Sequence, residues 1–89
     1  MLNVTNIQRL INSKSIEENL IISIEELSEL QKELCKRLRG YTNKQEIVEE
    51  TADVLISLCI IRAVIGISDE ELKAECDKKM KRNLDRIKE

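Results

Sequence analysis

The sequence contains no histidine, proline, tryptophan or phenylalanine, and Tyr41 is its single aromatic residue. Without histidine, the chain cannot complete a zinc site with imidazole or build a di-iron bundle on Glu-x-x-His pairs. Two glycines and no proline are too few turn-forming residues for an all-β protein of 89 residues. A content of 42% hydrophobic residues is too high for a disordered chain. We therefore predict an all-α protein.

Further absences limit the binding partners and the cellular compartment that the sequence allows. The formal net charge is −2, whereas a general nucleic-acid binder needs an excess of Lys and Arg. The apolar run 52–65 is interrupted by Asp53 and Arg62 and is shorter than the ~20 residues that span a bilayer. The N-terminal residues lack the basic start and the apolar stretch of a secretory signal, and the three cysteines show no CxxC spacing. We expect a cytoplasmic protein with reduced thiols that binds neither nucleic acid nor membrane.

The size of the chain limits its core. Eighty-nine residues suffice for one domain, which we place at 1–89. The apolar residues are mainly Ile and Leu, so the core lacks the large burial that Trp and Phe provide. We expect oligomerisation to complete the core, as a homodimer or a homotetramer.

Local signals divide the chain into four helices. Ser15, Asn43 and Ser68 are each followed three residues later by Glu, which is the spacing of a capping box. Gly40 and Gly66 stand where a residue with positive φ would end the preceding helix. We predict helices at 3–13, 16–39, 44–65 and 69–88. The middle two should form an antiparallel hairpin, because their connection is short.

The spacing of apolar residues indicates which helix faces are buried. At about 100° per residue, the second predicted helix has one apolar face, which we predict to be core: Leu20, Ile24, Leu27, Leu30, Leu34 and Leu38. The third predicted helix is apolar nearly all round after Val54, so we predict that it is buried on most sides.

Five acidic residues border these apolar faces: Glu26, Glu29, Glu33, Glu50 and Asp53. In the antiparallel hairpin we expect Glu29 to face Asp53 and Glu33 to face Glu50. Ionised carboxylates at such short distances repel one another unless a cation compensates their charge. An all-oxygen cluster without histidine suits Mg²⁺, with Mn²⁺ as an alternative. A solvated charged face is the competing interpretation, since acid pairs at i,i+3 arise by chance among 17 acids in 89 residues.

Two segments carry a signature that resembles the ExxE…ExxD motif of MazG-like nucleotide pyrophosphohydrolases. They are Glu25-Glu26-Leu27-Ser28-Glu29 and Glu50-Thr51-Ala52-Asp53-Val54-Leu55, followed in the expected order by the basic segment 79–86. This family is part of the all-α NTP pyrophosphatase superfamily, which includes dimeric dUTPases and dCTP pyrophosphatases. The resemblance covers about 16–88 and implies a four-helix MazG-like bundle with a central antiparallel helix hairpin.

The resemblance also implies an activity, which is the Mg²⁺-dependent hydrolysis of a (d)NTP to the (d)NMP and diphosphate for nucleotide-pool house-cleaning. It implies that Glu26, Glu29, Glu50 and Asp53 are the catalytic residues and the Mg²⁺ ligands. Glu25 and Glu33 are candidates for residues that lie next to these ligands and support them without binding the metal.

On the C-terminal segment, the resemblance implies that Lys79 and Asn83 contact the nucleotide. Arg86 is a further candidate, because it shares one helix face with both. Larger relatives hold the base with aromatic side chains, whereas Tyr41 lies in the predicted turn. The resemblance therefore leaves the base preference open.

Two alternatives remain beside this interpretation. One is a non-catalytic helical oligomerisation or interaction module whose acids are merely solvated. The other is a phosphoribosyl-ATP pyrophosphohydrolase, which shares the superfamily and the reaction. That relative usually carries a His after its ADLLY-like run, where this chain has Ser57 to Ile60.

Overall fold

The computed structural model describes residues 2–87, which form four α-helices and no strand. The helices are α1 (Val4–Asn12), α2 (Ile16–Leu38), α3 (Lys44–Ile65) and α4 (Asp69–Asp85). The predicted all-α class and the order of four helices are confirmed, and the predicted end at residue 88 lies outside the described residues. None of these four helices combines the length and the hydropathy that a membrane crossing requires.

Two of the three predicted capping boxes are confirmed. The Ser15 hydroxyl accepts the N–H of Glu18, and the Glu18 carboxylate accepts the N–H of Ser15, both at 3.1 Å. Ser68 and Glu71 repeat this exchange at the start of α4, at 2.8 and 3.1 Å. The backbone N–H of the serine lowers the pKa of the glutamate in both boxes. The starts of α2 and α4 therefore follow from local sequence alone.

The third predicted box, at Asn43, is wrong. The Asn43 side chain makes no cap hydrogen bond to α3 and donates instead to Glu33 in α2. Gly40, with φ 94°, ends the turn after α2 and lets the chain reverse. The bonds from Nδ2 to Glu33 hold the Asn43 side chain toward α2, and Oδ1, the atom that would accept in a cap, has no hydrogen-bond partner among the described residues.

The fold is built on the antiparallel pair of α2 and α3, and α1 packs against α3. The Asn19 amide ties α1 to α2 by donating to the carbonyl oxygens of Ile11 and Ser15, at 3.1 and 3.0 Å. The buried residues of this small fold are mostly polar: Asn19, Ser23, Glu33, Asn43 and Ser57, beside the apolar Val54 and Ile60. The most deeply buried side chains are therefore mainly polar.

The predicted leucine core on α2 is wrong for the single chain. Four of its six residues are exposed, by 63, 42, 48 and 89%: Ile24, Leu27, Leu34 and Leu38. The cause is that α2 turns its flank with Asn19, Ser23 and Glu33 toward α3. The expected burial of α3 on most sides is likewise wrong, since Leu55, Leu58 and Ile65 are exposed.

Helix α4 lies apart from the hairpin. Each of its residues is at least partly exposed, and Met80 and Leu84 are 59 and 58% exposed. The radius of gyration is 15.8 Å, whereas a compact domain of this length has roughly 12 Å. The chain is thus extended, and the expected completion of its core by a second chain stays a prediction.

Candidate metal centre

Three carboxylates from two helices converge on one point of the hairpin. Glu26 of α2 and the residues Glu50 and Asp53 of α3 each offer one oxygen, and these oxygens lie within 4.8 Å of one another. Glu50 and Asp53 share a helix face because they are three residues apart. The antiparallel packing of α2 brings Glu26 opposite both. We call these three residues the acidic triad.

The register of the hairpin differs from the predicted one by about one helical turn. Asp53 lies opposite Glu26 and not Glu29, and Glu33 binds Asn43. The expected facing pairs, Glu29 with Asp53 and Glu33 with Glu50, were derived from the length of the turn alone. In the structure Asp53 meets Glu26 instead of Glu29, while Glu33 bonds to Asn43 and its charge still helps to raise the pKa of Glu50.

The triad concentrates negative charge in a partly desolvated place. Partial burial raises the pKa of Glu26, and the nearby side chain and charge of Asp53 raise it further. Partial burial also raises the pKa of Glu50, followed by the charges of Asp53 and Glu29. Each shift means that the local environment disfavours the ionised form. A bound cation or a proton would relieve this repulsion.

The remaining predicted acids occupy different positions. Glu29 is exposed and lies close enough to Glu50 to raise the pKa of that residue, but it is not part of the triad. Glu25 is exposed on α2. Glu33 is buried, accepts a hydrogen bond from Asn43 and pairs with Lys36 at 3.3 Å. The hydrogen bond from Asn43 lowers the pKa of Glu33, so its charge is already compensated within the fold.

A cavity of about 180 Å³ opens beside the triad, between α1 and the hairpin. Glu26 and Asp53 form its acidic edge, while Ile22, Ile56 and Ile60 contribute apolar walls. Three polar residues of this cavity were missed by sequence reasoning: Lys14, Asn19 and Ser57. Asn19 and Ser57 are only 4 and 3% exposed.

The helical spacing of two of these polar residues could have indicated that they lie near the triad. Asn19 stands seven residues before Glu26, and Ser57 stands four residues after Asp53, so each shares a face with an acid of the triad. The Asn19 amide nitrogen already donates to Ile11 and Ser15, so the side-chain oxygen of Asn19 and the hydroxyl of Ser57 are the atoms that a ligand in the cavity would meet. The cavity is smaller than most pockets for whole ligands and fits a part of one.

The predicted nucleotide-binding residues are not brought to this cavity in the described chain. Lys79 and Asn83 are exposed on α4, and Arg86 is exposed at the C-cap of this helix. The cavity beside the triad is lined by residues of α1, α2, α3 and the connection between α1 and α2. Other basic residues of α4 lie along a separate shallow groove with Arg86: Lys78, Lys81 and Arg82. The role of α4 in binding a nucleotide therefore stays a prediction.

The triad has the chemistry of a site for a hard divalent cation. Carboxylate oxygens on facing helices suit Mg²⁺ or Mn²⁺, which bind a few carboxylates and keep further positions for water or phosphate oxygens. The functional interpretation depends on this geometry and on the sequence motif. Comparisons of the chain with protein-family models, with curated proteins and with solved structures give no match.

Proposed function

We propose that the chain is a Mg²⁺-dependent nucleoside triphosphate pyrophosphohydrolase that serves nucleotide-pool house-cleaning. The observation that carries this proposal is the convergence of Glu26, Glu50 and Asp53 within 4.8 Å on facing helices. The resemblance of the two acidic segments to the MazG-like signature supports the same reaction.

The donor set fits the proposed metal. All three groups are carboxylates, and hard cations such as Mg²⁺ prefer oxygen ligands. The raised pKa values of Glu26 and Glu50 indicate negative charge that the fold itself leaves uncompensated. Glu29, which lies near Glu50, is the fourth ligand of the proposed set. When bound, Mg²⁺ would neutralise charge on the phosphates and help to ionise the attacking water.

The proposed reaction is the attack of water on the α-phosphorus of a (d)NTP. The bond between the α-phosphorus and the oxygen that bridges to the β-phosphorus breaks, diphosphate leaves, and the proton lost by water passes to a carboxylate of the site. Asn19 and Ser57 line the adjacent cavity and can hold an uncharged part of the substrate by hydrogen bonds. Lys79, Asn83 and Arg86 are proposed to contact the nucleotide.

The proposed enzyme is a homodimer or a homotetramer. A single chain leaves α4 without a buried residue and exposes Leu27, Leu34 and Leu38 of α2. Exposed apolar groups of this extent mark interaction sites in soluble proteins.

Product analysis tests the proposal directly. Purified protein is incubated with each common NTP and dNTP, with dUTP and with phosphoribosyl-ATP, in the presence of Mg²⁺ or a chelator. Monophosphate and diphosphate that form only with Mg²⁺ support the proposal, and a product from phosphoribosyl-ATP alone favours the related hydrolase. A folded protein that yields no product from any nucleotide contradicts it and favours a helical interaction module.

A further inference from the structure

A second cavity opens between α1 and the C-terminal half of α3. Its volume is about 240 Å³. Within the described chain it shares no lining residue with the cavity beside the acidic triad. On α1 the second cavity is lined by Ile7 and Ile11, whereas Leu10 of the same helix lines the cavity beside the triad. Helix α1 therefore has one face on each of two separate cavities.

The walls of the second cavity are mostly apolar. Ile7 and Ile11 are four residues apart on α1, so they share one helix face. Cys59 and Ala63 have the same spacing on α3 and form the opposite wall. Ile67, which follows α3, closes one end. Aliphatic groups on a ligand would be favourably removed from water between these walls.

Arg62 brings a positive charge to this cavity. Its Nη2 atom donates a hydrogen bond to the carboxylate of Asp69. Its Nε–H group is buried and has no hydrogen-bond acceptor within residues 2–87. A buried donor that lacks an acceptor costs free energy, and nearly all such groups in folded proteins are paired. The Nε–H group of Arg62 is thus a donor for which the described chain supplies no acceptor.

Asp69 compensates the charge of Arg62 only from the solvent side. The Asp69 side chain is 87% exposed, whereas the Arg62 side chain is 33% exposed. Water screens an ion pair with so exposed a partner. The guanidinium group keeps its charge at physiological pH. An anion inside the cavity would therefore meet a cation that Asp69 does not fully neutralise.

The shape and chemistry of the cavity favour a carboxylate on an aliphatic chain. An ordered water needs about two to four polar partners, which mostly apolar walls do not provide. A carboxylate forms strong charge-assisted hydrogen bonds with guanidinium N–H groups. The volume of about 240 Å³ equals roughly eight waters at ~30 Å³ each, which is space for on the order of ten heavy atoms. The ligand is thus a small one.

We propose that this cavity binds a short aliphatic carboxylate. Its carboxylate accepts the Nε–H of Arg62, and its chain lies between α1 and α3. The proposal goes beyond the proposed hydrolase and does not depend on that reaction. Helix α1 has no buried residue of its own, so a ligand at this place would add contacts that hold α1 against α3. Because α1 also forms a wall beside the triad, the same ligand would steady that second cavity.

Titration with octanoate tests the proposal, and octan-1-ol serves as the uncharged ligand of equal chain length. Nitrogen–proton NMR spectra observe the Nε–H of Arg62 directly. We expect millimolar octanoate to shift this signal saturably and to slow its exchange with solvent, and octan-1-ol to bind at least tenfold more weakly. A folded chain whose Arg62 Nε–H does not respond to octanoate overturns the proposal. Equal binding of octan-1-ol overturns it as well.

Two matched pairs of variants test the residues of the site. Arg62→Met removes the donor and should weaken octanoate binding at least tenfold, whereas Arg37→Met, at an exposed position of α2, should not. Ala63→Leu fills part of the cavity and should weaken binding with Arg62 in place, whereas Ala52→Leu, exposed elsewhere on α3, should not. If Arg62→Met does not fold, the alanine pair decides. Equal affinity of the two members of either folded pair overturns the proposal.

Discussion

The side-chain amide of Asn43 donates to both the main-chain carbonyl and the carboxylate of Glu33, each at 2.9 Å. These bonds join the residue that precedes α3 to α2 at a buried position. Because both helices are rigid, fixing this one level also fixes the level at which Glu50 and Asp53 meet Glu26. The geometry of the acidic triad is therefore set by a contact about two helical turns away.

Removing this contact should destabilise the fold. Asn43→Ala is expected to lower the free energy of unfolding by about 1–2 kcal/mol, the usual range for buried hydrogen bonds. Among the described residues the Asn43 Oδ1 atom has no hydrogen-bond partner, so its removal recovers a part of the loss. Urea unfolding measures the effect, and the exposed Asn6→Ala is the matched control, expected within about 0.5 kcal/mol of wild type. Equal stability of the two variants would show that the bonds contribute little.

Mg²⁺ should stabilise the folded protein through the triad. We expect the melting temperature to rise with Mg²⁺ concentration, because a ligand that binds only the folded state shifts the equilibrium. Asp53→Asn should abolish this rise and lower turnover by about a hundredfold or more, while the chain stays folded. Glu49→Gln, beside the site but outside the triad, should keep both properties. A wild-type rate in Asp53→Asn would remove Asp53 from the site.

The apo protein should become more stable on mild acidification. The pKa values of Glu26 and Glu50 are raised above 4.5, so the folded state takes up protons before the unfolded state does. With a chelator present, stability should therefore rise as the pH falls from 7 through the raised pKa values toward 4.5. Glu50→Gln should raise the melting temperature at pH 7 and flatten this dependence, whereas Glu70→Gln on α4 should not. A melting temperature that falls steadily over this range would contradict the repulsion between the acids.

At lower pH, further acidification should instead reduce the stability of the folded protein. The pKa values of Glu18, Glu33 and Glu71 are lowered by hydrogen bonds to the carboxylates. Their contribution to stability is complete above 4.5 and is lost as the pH falls through the lowered values. The stability of the apo protein should thus pass through a maximum on the acidic side of neutrality.

A further matched pair of variants tests the basic face of α4. If Lys79 contacts the triphosphate, Lys79→Ala should lower kcat/KM by about tenfold or more, the usual cost of a charge-assisted hydrogen bond. Lys81→Ala should leave kcat/KM unchanged, since Lys81 points to another helix face and pairs with Asp85 at 3.2 Å. Equal losses would indicate a general effect of positive charge on α4.

The helices could be predicted from sequence because their signals are local. Ser15 and Ser68 each bond to a glutamate three residues away, and within 2–87 no distant side chain bonds to either serine hydroxyl. Asn43 carries the same pattern, yet its amide nitrogen donates to Glu33 and its side-chain oxygen caps no N–H of α3. The difference lies in tertiary contacts, which spacing along the chain does not contain.

The candidate site was predictable in part for the same reason. Helical periodicity places Glu50 and Asp53 on one face, and the structure keeps them there. The partner on α2 was misplaced by about one turn, because it depends on how the turn between the helices is bonded. The leucines of α2 were assigned to the core because the helical spacing of apolar residues indicates an apolar face but not what covers it.

The isolation of α4 has a consequence for local unfolding. Among the described residues, its side-chain support comes from its capping box, from pairs between its own residues, such as Lys73 with Asp77 at 2.7 Å, and from one ion pair of Asp69 with Arg62 of α3. Its amide hydrogens should exchange with solvent through opening of this one helix, without unfolding of the α2–α3 pair. Limited proteolysis should likewise cut within 69–85 before it cuts the hairpin, and protection of these bonds on adding a nucleotide would report that α4 has docked.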